Sequence, residues 1–194
     1  MASEFPDFRT GNVLATNFTG TLSERHGVPV ERIPTPQRLA DWLKANDLAV
    51  DSCSTAQHDL ARVLRESIHT AATAAATGNT LHVSAVRIIN DRSAQGRAAA
   101  QLTPENRRRW RLSATSVEDA LSVIAADAVS IITGEREGRL ALCASPTCLA
   151  VFLDTSQSRT RRWCDMNTCG NRQKKARFTA NQREHSRSPG TAAR

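Results

Sequence analysis

The sequence predicts a mainly α chain: an N-terminal helical bundle followed by a small four-cysteine module of β-hairpin and helix. Three observations predict it. Apolar residues recur at helical spacing in four segments between residues 35 and 132. Four of the five cysteines stand at 143, 148, 164 and 169, as two close pairs around a short spacer. The chain's net charge of +7 falls entirely on that last third: residues 140–194 hold ten Arg/Lys against Asp154, Asp165 and Glu184.

Length and composition set the frame. At 194 residues the chain accommodates one domain and an appended module. With 40% hydrophobic residues, 4% aromatics and no tyrosine, the core must be mostly Leu, Val, Ile and Ala. The first residues, MASEFPDFRTGN, lack the basic and apolar runs of a signal peptide, and no segment is apolar for 18 residues. A cytoplasmic, reducing setting without membrane association is the expectation, and it favours metal thiolates over disulfides.

The elements follow in order. Residues 11–22 alternate loosely and read as a strand or an extended lead-in, followed by the proline-containing loop VPVERIPTP. Thr35-Pro36 opens a helix through Leu48, with Leu39, Trp42, Leu43 and Leu48 on one face. Ser54 or Thr55 caps a second helix over 55–77, carrying Leu60, Val63, Leu64 and Ile68, which Gly78-Asn79 ends. A third spans 79–91 with Leu81, Val83, Val86, Ile88 and Ile89. Residues 91–109 form a polar connection, and 110–115 a short strand or loop. Ser116, with Asp119 three residues on, starts a last helix with Val117, Leu121, Ile124, Ala128, Ile131 and Ile132 inward. Gly134 and Gly138 mark a linker. The expected division is 1–138 helical domain, 139–185 cysteine module and 186–194 disordered tail.

The cysteine module reads physically as a zinc site. Cys143-Ala-Ser-Pro-Thr-Cys148 is a turn that can aim two thiolates inward, and Cys164 and Cys169 complete a tetrahedral set for one structural Zn²⁺. Residues 149–154 are strand formers, 155–160 a turn, and 161–164 the return strand of a hairpin. Cys169 opens a helix over 170–185, whose dipole favours the thiolate. Knuckle, hairpin and helix describe a treble-clef-like fold. Disulfides are the competing reading. Cys53 stands apart as an ordinary small residue, and His26, His58, His69, His82 and His185 show no metal-ligand clustering.

The segregated charge points to a polyanion, most often nucleic acid, or else to a merely solvated surface. Candidate nucleic-acid contacts are Arg159, Arg161 and Arg162 on the hairpin and Arg172, Lys174, Lys175, Arg177 and Arg183 on the helix. Arg172 is also a candidate partner for Asp154, locking hairpin to helix. Trp163 and Phe178 read as the module's small core. Arg107-Arg108-Arg109-Trp110-Arg111 is a second basic run, a solvated loop or a supplementary phosphate contact.

The run CASPTCLAVFLDTSQSRTRRWCDMNTCGNRQKKARF closely resembles the CGNR zinc-finger family. The likeness rests on Cys169-Gly170-Asn171-Arg172, the Phe152-x-Asp154 strand and Arg161-Arg162-Trp163-Cys164. More loosely, the upstream region is similar to the stress-induced transcription regulator domain found with this finger. There the likeness rests on the early motif over 14–22, on Arg25, Pro36 and Leu39-x-x-Trp42-Leu43, and on Leu60-x-x-x-Leu64-Arg65-Glu66. The family's early motif tends to read L-D-F-V-N-T, whereas Asn17 and Gly20 stand here in place of its acid and amide. The resemblance implies DNA binding by the finger and a sensing or oligomerising role for the helical domain, compatible with a small-molecule effector or a homodimer. An adaptor binding RNA or protein is the alternative. No Ser/His/Asp or Cys/His set or phosphate-cradling glycine loop suggests an enzyme.

Overall fold

The computed structural model describes residues 5–9, 11 and 13–187. Six α-helices and three two-stranded antiparallel sheets make up the described residues. In chain order they are α1 (Leu14–Thr19), β1 (Leu22–Ser23), β2 (Val30–Glu31), α2 (Pro36–Ala45), α3 (Thr55–Ala76) and α4 (Val83–Gln95). Then come β3 (Ala98–Leu102), β4 (Arg108–Leu112), α5 (Val117–Ile132), β5 (Arg139–Leu142), β6 (Val151–Asp154) and α6 (Asn171–Arg187). The mainly α class expected from the periodicity is what the chain adopts.

Local signals place the long helices. Thr35 caps α2 by accepting from Arg38 N, with Pro36 at the first position. Ser54 and Gln57 form a full capping box on α3, and Ser116 accepts from Asp119 N at the start of α5. Leu39, Trp42, Leu43, Leu64, Ile68, Leu121 and Ile124 meet in one core, where Phe18 lies 5.2 Å from Trp42 between ring centroids.

Several expectations are corrected. Residues 11–22 are not an extended lead-in: they hold α1, because Ala15 and Phe18 are buried on one helical face. Its start is stabilised from afar, as Ala15 N donates to Asp127 Oδ2 at 2.8 Å. The following loop contains β2, paired with β1. On α3 the buried stripe runs through Ala61, Leu64, Ile68 and Ala71, leaving Leu60 and Val63 outward. The helix expected over 79–91 starts later, at Val83, because Asn79 N still closes α3 by donating to Ala74 O. The polar connection hides β3, in register with β4 from Ala98↔Leu112 to Leu102↔Arg108. Its Ala-rich sequence carries no strand propensity, so the pairing partner creates the strand. Ser186 and Arg187, expected in the tail, extend α6; the rest of the tail, 188–194, lies outside the described residues.

The cysteine module contains a different hairpin from the expected one. β6 pairs with β5, from Arg139↔Asp154 to Leu142↔Val151, rather than with residues 161–164. The return segment keeps one ladder-like bond, Ala144 N to Arg162 O at 2.8 Å. Leu153 on β6 is buried in the main core, while Phe152 beside it belongs to a second, smaller cluster with the cysteines.

A buried ionic cluster braces β1–β2 against α3. The Arg65 guanidinium is 2% exposed and grips Glu31 through two bonds of 2.7 and 2.8 Å, Thr21 Oγ1 at 3.1 Å and Glu66 at 2.8 Å. Arg25 donates to Glu66 from the other side at 2.5 Å. Buried guanidinium groups need such complete pairing, and this one fixes the turn carrying Glu24.

Candidate metal centre

The four cysteines reach the site from three directions. Cys143 and Cys148 flank a turn in which Cys148 N donates to Ser145 O at 3.0 Å, with Pro146 at its second position. Cys164 arrives on the return segment. Cys169 sits in a π turn, Met166–Gly170, that runs straight into α6 and is capped by Asp165 through Thr168 N. The four Sγ atoms lie within 4.8 Å of one another. Cys148 and Cys164, and Cys164 and Cys169, are each 3.7 Å apart. A tetrahedral ion with Zn–S bonds of about 2.3 Å requires sulfur pairs about 3.8 Å apart, so the spacing fits that geometry.

Electrostatics favour the same conclusion. Hydrogen bonding from Cys143 and Cys164 pulls the Cys148 pKa far down and favours its thiolate. Burial, then the charge on Cys148 and Cys143, pushes Cys169 up to about 12. Cys164 is raised as well, through its bonds to Cys143 and Cys148. Four crowded sulfurs cannot all ionise without a central cation, and a divalent metal removes that repulsion. All four are reduced and unbridged. They are positioned to bind one metal ion as a closed, structural site.

The module is moored to the helical part by its knuckle. His26 N donates to Thr147 O at 3.1 Å, and Thr147 Oγ1 donates to Glu24 Oε2 at 2.7 Å. Arg172 Nη1 joins the same carboxylate oxygen at 2.5 Å. Burial works to raise the Glu24 pKa, but Arg172 and Thr147 outweigh it and hold the group below its ordinary value. The expected Arg172–Asp154 pair is therefore replaced by Arg172–Glu24. Asp154 instead accepts from Ser156 N and Oγ and from Arg161 N, closing its own turn.

Residues 139–182 match the CGNR zinc finger, and residues 12–135 match ABATE, the family described as putative stress-induced transcription regulator. The chain belongs to the ABATE family. No curated protein matches it. The early motif of the ABATE region, with Asn17 and Gly20, forms α1 and the turn after it. Asn17 Nδ2 donates to Gly11 O at 2.8 Å, and Thr21 Oγ1 takes a bond from Arg65.

The basic candidates on the CGNR finger divide. Arg161 is spent internally: its Nε donates to Trp163 O at 2.7 Å, its Nη2 to Cys164 O, and its guanidinium lies over Phe152. Arg159 faces Glu137 at 3.5 Å, and Arg162 lies over Trp163. Arg172 is taken by Glu24. Lys174, Lys175, Arg177 and Arg183 are exposed and make no ion pair among the described residues. The small core of the finger is Phe152 with the cysteines and a half-buried Trp163, whereas Phe178 is 63% exposed. The expectation that Phe178 joins this core is corrected: α6 buries no side chain over residues 171–183. Glu24 gives no sequence signal of its role, since the two groups that hydrogen-bond its carboxylate, Thr147 and Arg172, are more than a hundred residues away.

Among the described residues, no helix is long and apolar enough to cross a membrane.

Proposed function

We propose that this chain is a zinc-dependent, DNA-binding transcription regulator in which α6 of the finger lies against the duplex. The observation that carries the reading is α6 itself. From Asn171 to Arg183 it has five cations, no acid and no buried side chain. A strongly cationic helix that buries no side chain and leaves Phe178 exposed is suited to a polyanionic partner. At about 100° per residue, Lys174, Arg177 and Phe178 share one face, turned away from the side on which Arg172 is moored. That face supplies two phosphate-seeking charges and one apolar ring, while zinc holds the helix base rigid.

The helical domain supplies regulation in this reading. A cleft of about 760 Å³ lies among α1, the end of α2, β4 and α5, with Leu14, Trp110 and Val123 beside Asn17, Asp47 and Arg136. Its size and mixed lining suit a small-molecule effector. Thermal-shift screening of metabolites tests that part.

Anisotropy with labelled duplex DNA, repeated across salt, tests the main reading. Affinity that falls steeply as salt rises, and that is lost in Cys164→Ser, is expected. Absence of binding at about 50 mM salt, or insensitivity to salt, overturns it. Stronger binding to single-stranded RNA, or stable capture of one protein without DNA affinity, supports an adaptor instead.

A further inference from the structure

We infer that the β3–β4 hairpin is a second nucleic-acid contact, a rigid arginine-faced ribbon that grips duplex phosphates beside the finger. This rests on the DNA-binding reading above but on different residues and a different observation. Between residues 97 and 111 the chain places Arg97, Arg107, Arg108, Arg109 and Arg111 against Glu105 alone.

The register sorts these arginines by face. Directly paired residues share a face of an antiparallel ladder. Arg111 pairs with Ala99 and Arg109 with Gln101, while Trp110 pairs with Ala100 and Leu112 with Ala98. Trp110, Leu112 and Ala98 pack onto the main core, so their face points inward. Arg109, Arg111, Ala99 and Gln101 are all exposed on the other face. Arg97, just before β3, is exposed too. Among the described residues none of Arg97, Arg109 and Arg111 has an ion-pair partner. An acid at either cross-strand position would stabilise a face that is only solvated; Ala and Gln stand there instead.

The ribbon is also clamped at its base. Asp119, 5% exposed, accepts from Arg97 N at 2.6 Å and from Ala114 N at 2.8 Å, one residue from each side of the hairpin. Gly96 lets the chain cross α5 so closely that a Cβ there would lie 2.4 Å from Ser122 Oγ and 2.5 Å from Glu118 O. Alternate residues on such a strand recur about every 6.8 Å, twice the roughly 3.4 Å axial rise between phosphates of one DNA strand. Arg109 and Arg111, exposed and without ion-pair partners among the described residues at that repeat, are complementary to a phosphate backbone, and two-stranded ribbons are an established way to meet DNA. Because the arginines reach phosphates, their contribution is independent of base sequence.

The test uses zinc-loaded full-length protein and one labelled duplex, titrated from low to high salt. Four forms are compared: wild type, Arg109→Gln/Arg111→Gln, Arg109→Lys/Arg111→Lys and Lys174→Gln/Arg177→Gln. The glutamine hairpin variant is expected to lose about 2 from the slope of log affinity against log salt, with affinity tens-fold lower at 0.1 M salt. The lysine variant is expected to keep the slope. Wild-type hydrogen exchange across peptides covering 97–112 should slow when duplex is added, a readout that needs no variant to fold. An unchanged slope in the glutamine variant, with the finger variant weakened, overturns the hairpin and leaves the finger reading intact. Absence of DNA binding by every form overturns both. Loss of binding to phosphatidylserine vesicles, with DNA affinity unchanged, assigns the ribbon to a membrane surface and overturns it equally.

Discussion

Arg172 of the finger and Glu24 of the helical region stand 148 residues apart in sequence and 2.5 Å apart in space. Glu24 occupies a left-handed backbone conformation, φ 55°, that only a special environment makes worthwhile. It receives Thr147 and Arg172 together, so one carboxylate holds both the knuckle and the base of α6. Arg172 is half-exposed, so screening limits the pair. A double-mutant cycle on Glu24→Gln and Arg172→Gln is expected to give a coupling of about 1 kcal/mol in denaturant unfolding. In DNA titrations Arg172→Gln should change the salt slope less than Lys174→Gln, because Glu24 already neutralises Arg172.

Metal removal should reach beyond the finger. One zinc per chain is expected by elemental analysis, and cobalt substitution should give the spectrum of a tetrahedral four-sulfur site. Chelation or Cys164→Ser is expected to cost about 3 kcal/mol or more, lowering Tm by roughly 10 °C. An unchanged helical-domain melting transition after chelation would contradict the shared core.

Phe178→Ala separates binding from folding. With the ring 63% exposed, its loss should change stability by no more than about 0.5 kcal/mol. Duplex affinity should nevertheless fall several-fold. A large loss of stability would instead place the ring against the protein.

His69 makes stability depend on pH. Burial first, and then the nearby Arg25 charge, lowers its pKa to about 4, and its Nδ1 is buried without a hydrogen-bond partner among the described residues. The folded state disfavours the protonated ring, so this contribution is fully present above about pH 6.5 and fades as pH falls towards 4. Between pH 7 and 5 the loss should be about 2 kcal/mol, and His69→Gln should remove it relative to wild type. Parallel pH profiles for the two proteins would refute the assignment.

Much of this architecture is legible from short-range patterns. Thr35-Pro36, Ser54 with Gln57 and Ser116 announce helix starts because caps act within one turn. The four thiols announce their site because few other chemistries need that spacing. What is not legible is set by partners remote in sequence. β3 is Ala-rich and becomes a strand only through β4. The finger's hairpin uses residues 139–142 rather than 161–164, since Leu153 must face the helical core while Arg161 turns back to the carbonyls of Trp163 and Cys164. Leu60 and Val63 look like core, but on α3 the alanines face inward and allow its neighbours to approach closely. Of the eight basic candidates, charge alone could not say that Arg159, Arg161 and Arg172 are engaged within the protein.

Leu153 lies on the finger's own hairpin yet is buried among the bundle's side chains. Two events usually treated separately, loading the metal and consolidating the helices, therefore share a free energy. By reciprocity, whatever tightens the bundle raises the finger's hold on zinc by the same factor that zinc tightens the bundle. The cell's zinc supply and any occupant of the helical cleft would then act on one equilibrium, each readable through the other.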